Sequence, residues 1–273
     1  MITVASLIYY PIKACRGFEV EETDVERMGL ANDRRMMVIT PKGGFLTQRE
    51  HPRLALVTPT ISGQTLTLSA PNTDGLTISI QKSGPTRPVD IWRSKGVQAV
   101  DQGESAAEWF SDWLRTSVRL VHIAEGYIRK VNKKYAVKED DHTAFADGYP
   151  ILLASEESLA DLNARLETPV PMNRFRPNVV AKGCEPFAED TWSRIRIGEA
   201  CAEQDRSVEL AIVKPCARCV VTTIDKETLA KSKEPLKTLA AYRTRNGGAM
   251  FGQNVIPLNE GRLRLGMSVE VLA

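Results

Sequence analysis

Residues 214–225, Lys214-Pro215-Cys216-Ala217-Arg218-Cys219-Val220-Val221-Thr222-Thr223-Ile224-Asp225 (KPCARCVVTTID), are the most informative stretch of the chain. They follow Val208 to Val213 (VELAIV), an apolar run that reads as a strand. The paired cysteines admit three readings. A structural zinc site needs four ligands, yet no second CxxC exists and His51, His122 and His142 are scattered. A redox dithiol needs its CxxC at a helix start within a βαβ context, whereas β-branched Val220 and Val221 follow the second cysteine. Two unreactive thiols on a strand are the third reading. The local residues leave all three open.

Outward from this run the chain reads as short strands separated by turn residues. Met36 to Thr40 (MMVIT) and Phe45 to Gln48 (FLTQ) flank Pro41-Lys42-Gly43-Gly44, a hairpin signal. Thr65 to Leu68 and Leu76 to Ile80 alternate polar and apolar residues. A helix is expected near Ser105, whose spacing to Glu108 suits a capping box, with Ala106, Trp109, Trp113 and Leu114 on its buried face. A second is expected over Ser155 to Glu167, capped by Ser155 and apolar at Leu159, Leu162 and Leu166. Strands return at Val179–Ala181, at Ile195–Ile197 and in the tail Leu263 to Leu272, as two strands or one bent strand. Glu125 to Gly148 is polar and reads as a domain connection or a mobile loop. The expectation is a mostly β chain with a few helices (α+β), divided into residues 1–125 and 126–273.

Composition narrows the function classes. The 273 residues carry 36 basic and 34 acidic side chains, so neither a basic tail nor an overall charge marks a nucleic-acid binder. No apolar stretch reaches the roughly 18 residues of a membrane span, and the opening MITVASLIYYPIKACRG lacks the basic start of a secretory signal. Five cysteines, Cys15, Cys184, Cys201, Cys216 and Cys219, do not suggest a disulfide framework. A cytoplasmic compartment is expected from this pattern.

Pro215-Cys216, Arg218-Cys219, Thr222-Thr223 and Asp225 resemble the signature of MOSC-domain proteins, and more closely the group containing the mitochondrial amidoxime-reducing component and the bacterial YcbX-like proteins. The resemblance extends in order from about residue 3 to 272. It includes Pro11-Ile12-Lys13 with Gly17, Gly29-Leu30 with Asp33-Arg34, and Thr47-Gln48-Arg49 with Pro52. It continues through Ser155, Ser158-Leu159, Asp161-Leu162-Asn163, Arg174-Phe175-Arg176-Pro177-Asn178, Glu234-Pro235-Leu236 and Phe251-Gly252-Gln253-Asn254. It implies an N-terminal β-barrel-like domain, a C-terminal MOSC β-barrel, and a molybdenum cofactor (Mo-molybdopterin) between them. The second motif cysteine, Cys219 here, is then the metal ligand, and Cys216 a structural neighbour.

Molybdenum favours soft sulfur ligands. Since the pterin brings its own sulfurs, one cysteine suffices where zinc would need four ligands. Lys214 and Arg218 beside Cys219 favour a thiolate. By motif position, Lys13, Arg34 and Arg176 are expected to hold the cofactor phosphate or pterin, with Arg174, Asn178 and Arg218 assisting. Ser155, at a helix start, is expected to offer its hydroxyl and nearby N–H groups to the phosphate. Asp225 either orients a cofactor group or relays a proton as a catalytic residue, or it begins a turn with Lys226. Ala14 stands where the family has serine, leaving its backbone N–H as the donor there.

The activity implied is reduction of small N-hydroxylated compounds, with electrons from an external reductase or a ferredoxin or flavin protein. No cysteine run for an iron–sulfur cluster follows the MOSC half. A cofactor carrier or storage protein, a sulfur-transfer module and a degenerate scaffold are the alternatives. Neither nucleic acid nor membrane is expected as a partner.

Overall fold

The computed structural model describes residues 1–198 and 207–273; Cys201 lies outside them. Strands dominate, and among the described residues the α-helices are Glu104–Leu114, Glu156–Asn163 and Leu236–Tyr242. The chain is thus mostly β with a few helices, as the alternating runs predict. Thr65–Ser69, for example, buries Leu66 and Leu68 while its threonines and serine point away.

The largest sheet runs, in spatial order, Val269–Val271, Arg194–Ile197, Val208–Ala217, Gly248–Pro257, Ile151–Ser155, Val179–Lys182, Thr3–Tyr9 and Phe18–Val20. Its pairings along this order are antiparallel except for Ile151–Ser155 against Val179–Lys182. The sheet curls until distant strands meet: Val4 N–H donates to Met267 O, and Val269 N–H to Ile2 O, both at 2.9 Å. Val4, Leu7, Leu153, Val179, Ile195, Leu210 and Val255 share its core.

A second sheet orders Met36–Ile39, Arg119–Ile123, Ser94–Asp101 and Thr86–Ile91. Beside it lies a meander of Thr58–Ser62, Thr65–Ser69 and Leu76–Ser79. The helix Glu104–Leu114 covers this part with Ala106, Phe110, Trp113 and Leu114, which pack with Leu66 and Leu68. Sequence order and spatial order differ here. The opening strand Thr3–Tyr9 pairs with Val179–Lys182, and Glu22–Glu26 pairs with Gly261–Arg264. Strands from roughly the first thirty residues therefore pair with strands of the C-terminal half.

Several local expectations are adjusted by side-chain chemistry. The capping box at Ser105 and Glu108 does not form; the helix begins after Gly103, whose N–H is taken by the Asp101 carboxylate at 3.0 Å. The helix capped by Ser155 stops at Asn163, not Glu167, because the Asn163 amide turns to bond both backbone groups of Val170. The tail forms two strands, Gly261–Arg264 and Val269–Val271, in different sheets. Residues 125–148 contain no strand or helix, yet the segment is pinned. The Arg129 guanidinium donates to the carbonyls of Ala144, Ala146 and Asp147. No helix among the described residues is long and apolar enough to cross a membrane.

Candidate functional site

The cysteine motif opens onto a cleft lined from both parts of the fold: Lys13 and Ala14, Arg34, residues 46–49, Trp92, residues 146–149, residues 174–176 with Asn178, and residues 216–219. The strand Val208–Ala217 reaches it through two irregularities in its pairing with Gly248–Pro257, at Ile212/Lys214 and Pro215/Ala217. Such breaks re-aim side chains. Cys219 follows with extended backbone and precedes the 3₁₀ turn Val220–Thr223. Thr222 fixes its carbonyl from N–H and Oγ1, at 3.0 and 2.9 Å. The β-branched residues after Cys219 thus make a single turn, not the helix start of a redox dithiol. Both Cys216 and Cys219 line the cleft. Among the described residues no cluster of three or more His, Cys, Asp or Glu groups is placed to hold a metal by itself.

Facing the motif is an arginine cluster built on Tyr10. That ring is buried, with the guanidinium carbons of Arg34 and Arg176 at 4.4 and 4.1 Å from its centroid. Arg34 donates to Asp33 at 2.6 Å, to Asn178 Oδ1 at 3.0 Å and to Arg176 O at 3.0 Å. Asn178 also donates to Ile8 O and accepts from Leu152 N–H, locking the loop to the large sheet. Arg176 donates to Cys15 O at 2.6 Å, Arg218 to Phe175 O at 2.6 Å and to Cys216 Sγ at 2.9 Å. Burial, foremost, lowers the Arg176 pKa to about 10. Lys13 is also buried and drawn below its usual range by burial, although Asp147 opposes this through an ion pair. Ala14, Arg34 and Arg176 have φ of 70°, 49° and 58°. With Trp92 at 51°, four non-glycine residues in the left-handed region around one cleft mark stored backbone strain of the kind that collects at functional sites.

Charge tells what the cleft accepts. Six cations line it (Lys13, Arg34, Arg49, Arg174, Arg176, Arg218) against one carboxylate, Asp147. Arg174 Nε, Arg176 Nη2 and Arg218 Nε are buried with no hydrogen-bond partner. An unmade buried bond costs about 1–3 kcal/mol, so three in one site call for acceptors from outside the chain. A phosphorylated, electron-rich ligand fits that demand, and the sulfur of Cys219 at the same cleft fits a soft metal.

Two expected site residues stand elsewhere. Ser155 does not line the cleft: its hydroxyl is fully buried, accepts Ser158 N–H at 3.1 Å and donates to Glu189 at 3.0 Å. It caps its own helix beside a carboxylate that would repel a phosphate. Asp225 does not line the cleft either. Its carboxylate accepts the N–H groups of Glu227 and Thr228 and pairs with Arg174 at 2.7 Å. Those contacts, led by the Thr228 N–H, hold its pKa near 2, so it stays ionised. These contacts are those of the turn-forming reading, and they also aim Arg174.

Conversely, Gln48, Arg49, Trp92, Asp147 and Lys226 belong to the site or its wall and were not singled out by residue type. Gln48 donates to Ala14 O and accepts from Lys226 Nζ at 2.7 Å. Thr47-Gln48-Arg49 was visible as a motif; its contact with the cysteine turn was not.

Residues 1–117 match the family model described as the MOSC N-terminal beta barrel domain, and residues 140–270 match the MOSC domain. The chain is 38% identical to human mitochondrial amidoxime-reducing component 1, over 99% of this chain and 83% of that protein. The chain belongs to the MOSC family. Within it, mouse mitochondrial amidoxime-reducing component 1 is 39% identical over 99% of this chain and 82% of its own length. Rat mitochondrial amidoxime reducing component 2 is 39% identical over 88% and 72%. These MOSC relatives are named for mitochondria, a different compartment from the cytoplasmic one expected from the cysteines.

Proposed function

We propose that the cleft holds the molybdenum cofactor and that the protein is a reductase of N-hydroxylated compounds. The observation that carries this reading is the three unpartnered buried guanidinium nitrogens in the cleft lined by Cys219. Cys219 is the soft protein ligand to molybdenum. Arg176, Arg34 and Arg218 present donors to the phosphate and pterin, Lys13 a point charge, and Arg174 its free Nε. Asn178 positions Arg34, and the strained Ala14 brings backbone close to the ligand. When bound, the cofactor supplies two-electron oxygen removal, which no side chain can perform. Overall, an N–OH group, two electrons and two protons give N–H and water. The electrons come from a separate reductase, ferredoxin or flavin protein. The relatives' names, amidoxime-reducing components, support this substrate class.

The test is benzamidoxime reduction with a supplied electron donor. Cys219→Ala is expected to lower turnover by about 100-fold or more, a ligand loss being at least as costly as the loss of an outer-shell partner. Cys216→Ala is expected to be far milder. Unchanged reduction by Cys219→Ala would refute the assignment, and equal losses in both would revive a paired-thiol site. A carrier without turnover would consume at most one two-electron reduction per loaded protein, not continued reduction.

A further inference from the structure

We infer that Arg49 is a positioning residue for the Cys219 sulfur: its guanidinium, clamped against Trp92, donates to that sulfur and eases reduction of the metal centre. The inference rests on the reading of Cys219 as metal ligand.

Arg49 Nη2 lies 3.5 Å from Cys219 Sγ, a hydrogen bond to sulfur across 170 positions of sequence. Among the described residues Arg49 has no carboxylate within ion-pair distance, and that sulfur is the polar partner of its guanidinium. Arg34 and Arg174, by contrast, are matched by Asp33 and Asp225. A cation reaching into the cleft with no carboxylate partner of its own suits an anionic group there, and a ligating thiolate is one.

The guanidinium is also held. Its carbon is 4.9 Å from the Trp92 ring centroid, within cation–π range. Trp92 is 39% exposed and has φ of 51°, a conformation that a bulky residue adopts only when its surroundings impose it. Its Nε1–H donates to Asp147 Oδ1 at 3.0 Å, its ring meets Phe45 edge-on at 4.8 Å, and Asp147 is ion-paired with buried Lys13. The Arg49 backbone N–H is tied to Thr47 Oγ1 at 3.1 Å. Contacts therefore run from Lys13 through Asp147, Trp92 and Arg49 to Cys219. A hydrogen bond and positive charge beside a ligating sulfur draw electron density from it and favour the reduced centre, the general effect of outer-shell partners.

The test compares wild type, Arg49→Gln, Arg49→Lys and Trp92→Ala as cofactor-loaded proteins. Molybdenum content, midpoint potential from a redox titration followed by electron paramagnetic resonance, and KM and kcat for benzamidoxime are measured. Arg49→Gln is expected to keep its molybdenum, to have a more negative potential, and to lose about tenfold in kcat with KM within about twofold. Arg49→Lys falls between, and Trp92→Ala shifts the potential in the same direction. An unmoved potential in Arg49→Gln, or a raised KM with an unmoved potential, overturns the inference. If Arg49→Gln holds no metal, an unmoved potential in Trp92→Ala overturns it. Undiminished sulfur coordination in Cys219→Ala would instead overturn the underlying metal-ligand reading.

Discussion

Lys226 shows how burial beside other cations can reset a side chain. Its ammonium is enclosed, donating to Gln48 Oε1 at 2.7 Å and Val221 O at 2.9 Å, and burial, followed by Arg176 and Arg174, lowers its pKa to about 7. In the unfolded chain the amine keeps its proton to about 10.4. Between these values the unfolded state binds more protons, so this group makes stability rise with pH from about 7 towards 10.4, and its cost is full below pH 7. Lys226→Met is expected to flatten that slope in urea unfolding at pH 7, 8.5 and 10; equal slopes would contradict it. Asp225 stabilises where Lys226 is a cost. Its pKa is depressed to about 2, so its contribution is complete above about pH 4 and is lost as pH falls through 2. Asp225→Asn is expected to lose stability at pH 6 and to show a shallower acid limb; an acid limb as steep as wild type would contradict this. The motif made Cys219, Lys13, Arg34, Arg174, Arg176, Asn178 and Arg218 legible as cleft residues, because each lies inside a recognisable run. Arg49 lay in the readable run Thr47-Gln48-Arg49 without its contact to Cys219 being visible, and Lys226, Trp92 and Asp147 were not legible at all, since a lysine, a tryptophan and a loop aspartate have no local signature. Their partners lie far away in the chain, as with Arg49 and Cys219.

At the scale of elements, strand alternation and turn residues were the readable signals, and helix ends were the weak ones. Asp101 capturing Gly103 N–H and Asn163 capturing Val170 decided two helix ends, and neither contact has the familiar capping spacing. Two backbone positions test the account of the cleft loops and strands. Gly252, in the strand Gly248–Pro257, has φ of 74°, and a Cβ there would lie 2.7 Å from Leu153 O. Gly252→Ala is expected to destabilise by about 2 kcal/mol or more, from strain plus disturbance of the strand pairing. Ala14 has φ of 70°, so Ala14→Gly is expected to be neutral to stabilising, by up to about 1 kcal/mol. Equilibrium urea unfolding measures both; a neutral Gly252→Ala, or a strongly destabilised Ala14→Gly, would contradict the backbone assignments.

At the scale of the whole molecule, interleaving was invisible in the chain because strand pairing partners leave no mark on local pattern. Dividing the sequence at 125/126 would remove Val4, Leu7, Val25 and Leu30 from the core they share with Leu153, Val179 and Leu210. At about 1.5–3 kcal/mol for each large buried apolar side chain, that loss is comparable with a typical domain stability of about 5–15 kcal/mol. Residues 126–273 produced alone are therefore expected to lack cooperative thermal unfolding and a native-like near-ultraviolet circular dichroism signal; a sharp transition would contradict the interleaved core. The cleft shares this arrangement, since Lys13, Arg34 and Arg49 come from the N-terminal part of the chain and Arg176, Arg218 and Cys219 from the C-terminal part.

The most direct test of the central claim is molybdenum-edge X-ray absorption on loaded wild type and Cys219→Ala, with pterin content measured on the same samples. Wild type is expected to carry a sulfur shell larger by about one ligand than the variant, at equal pterin content. An identical sulfur shell in both proteins would contradict ligation by Cys219.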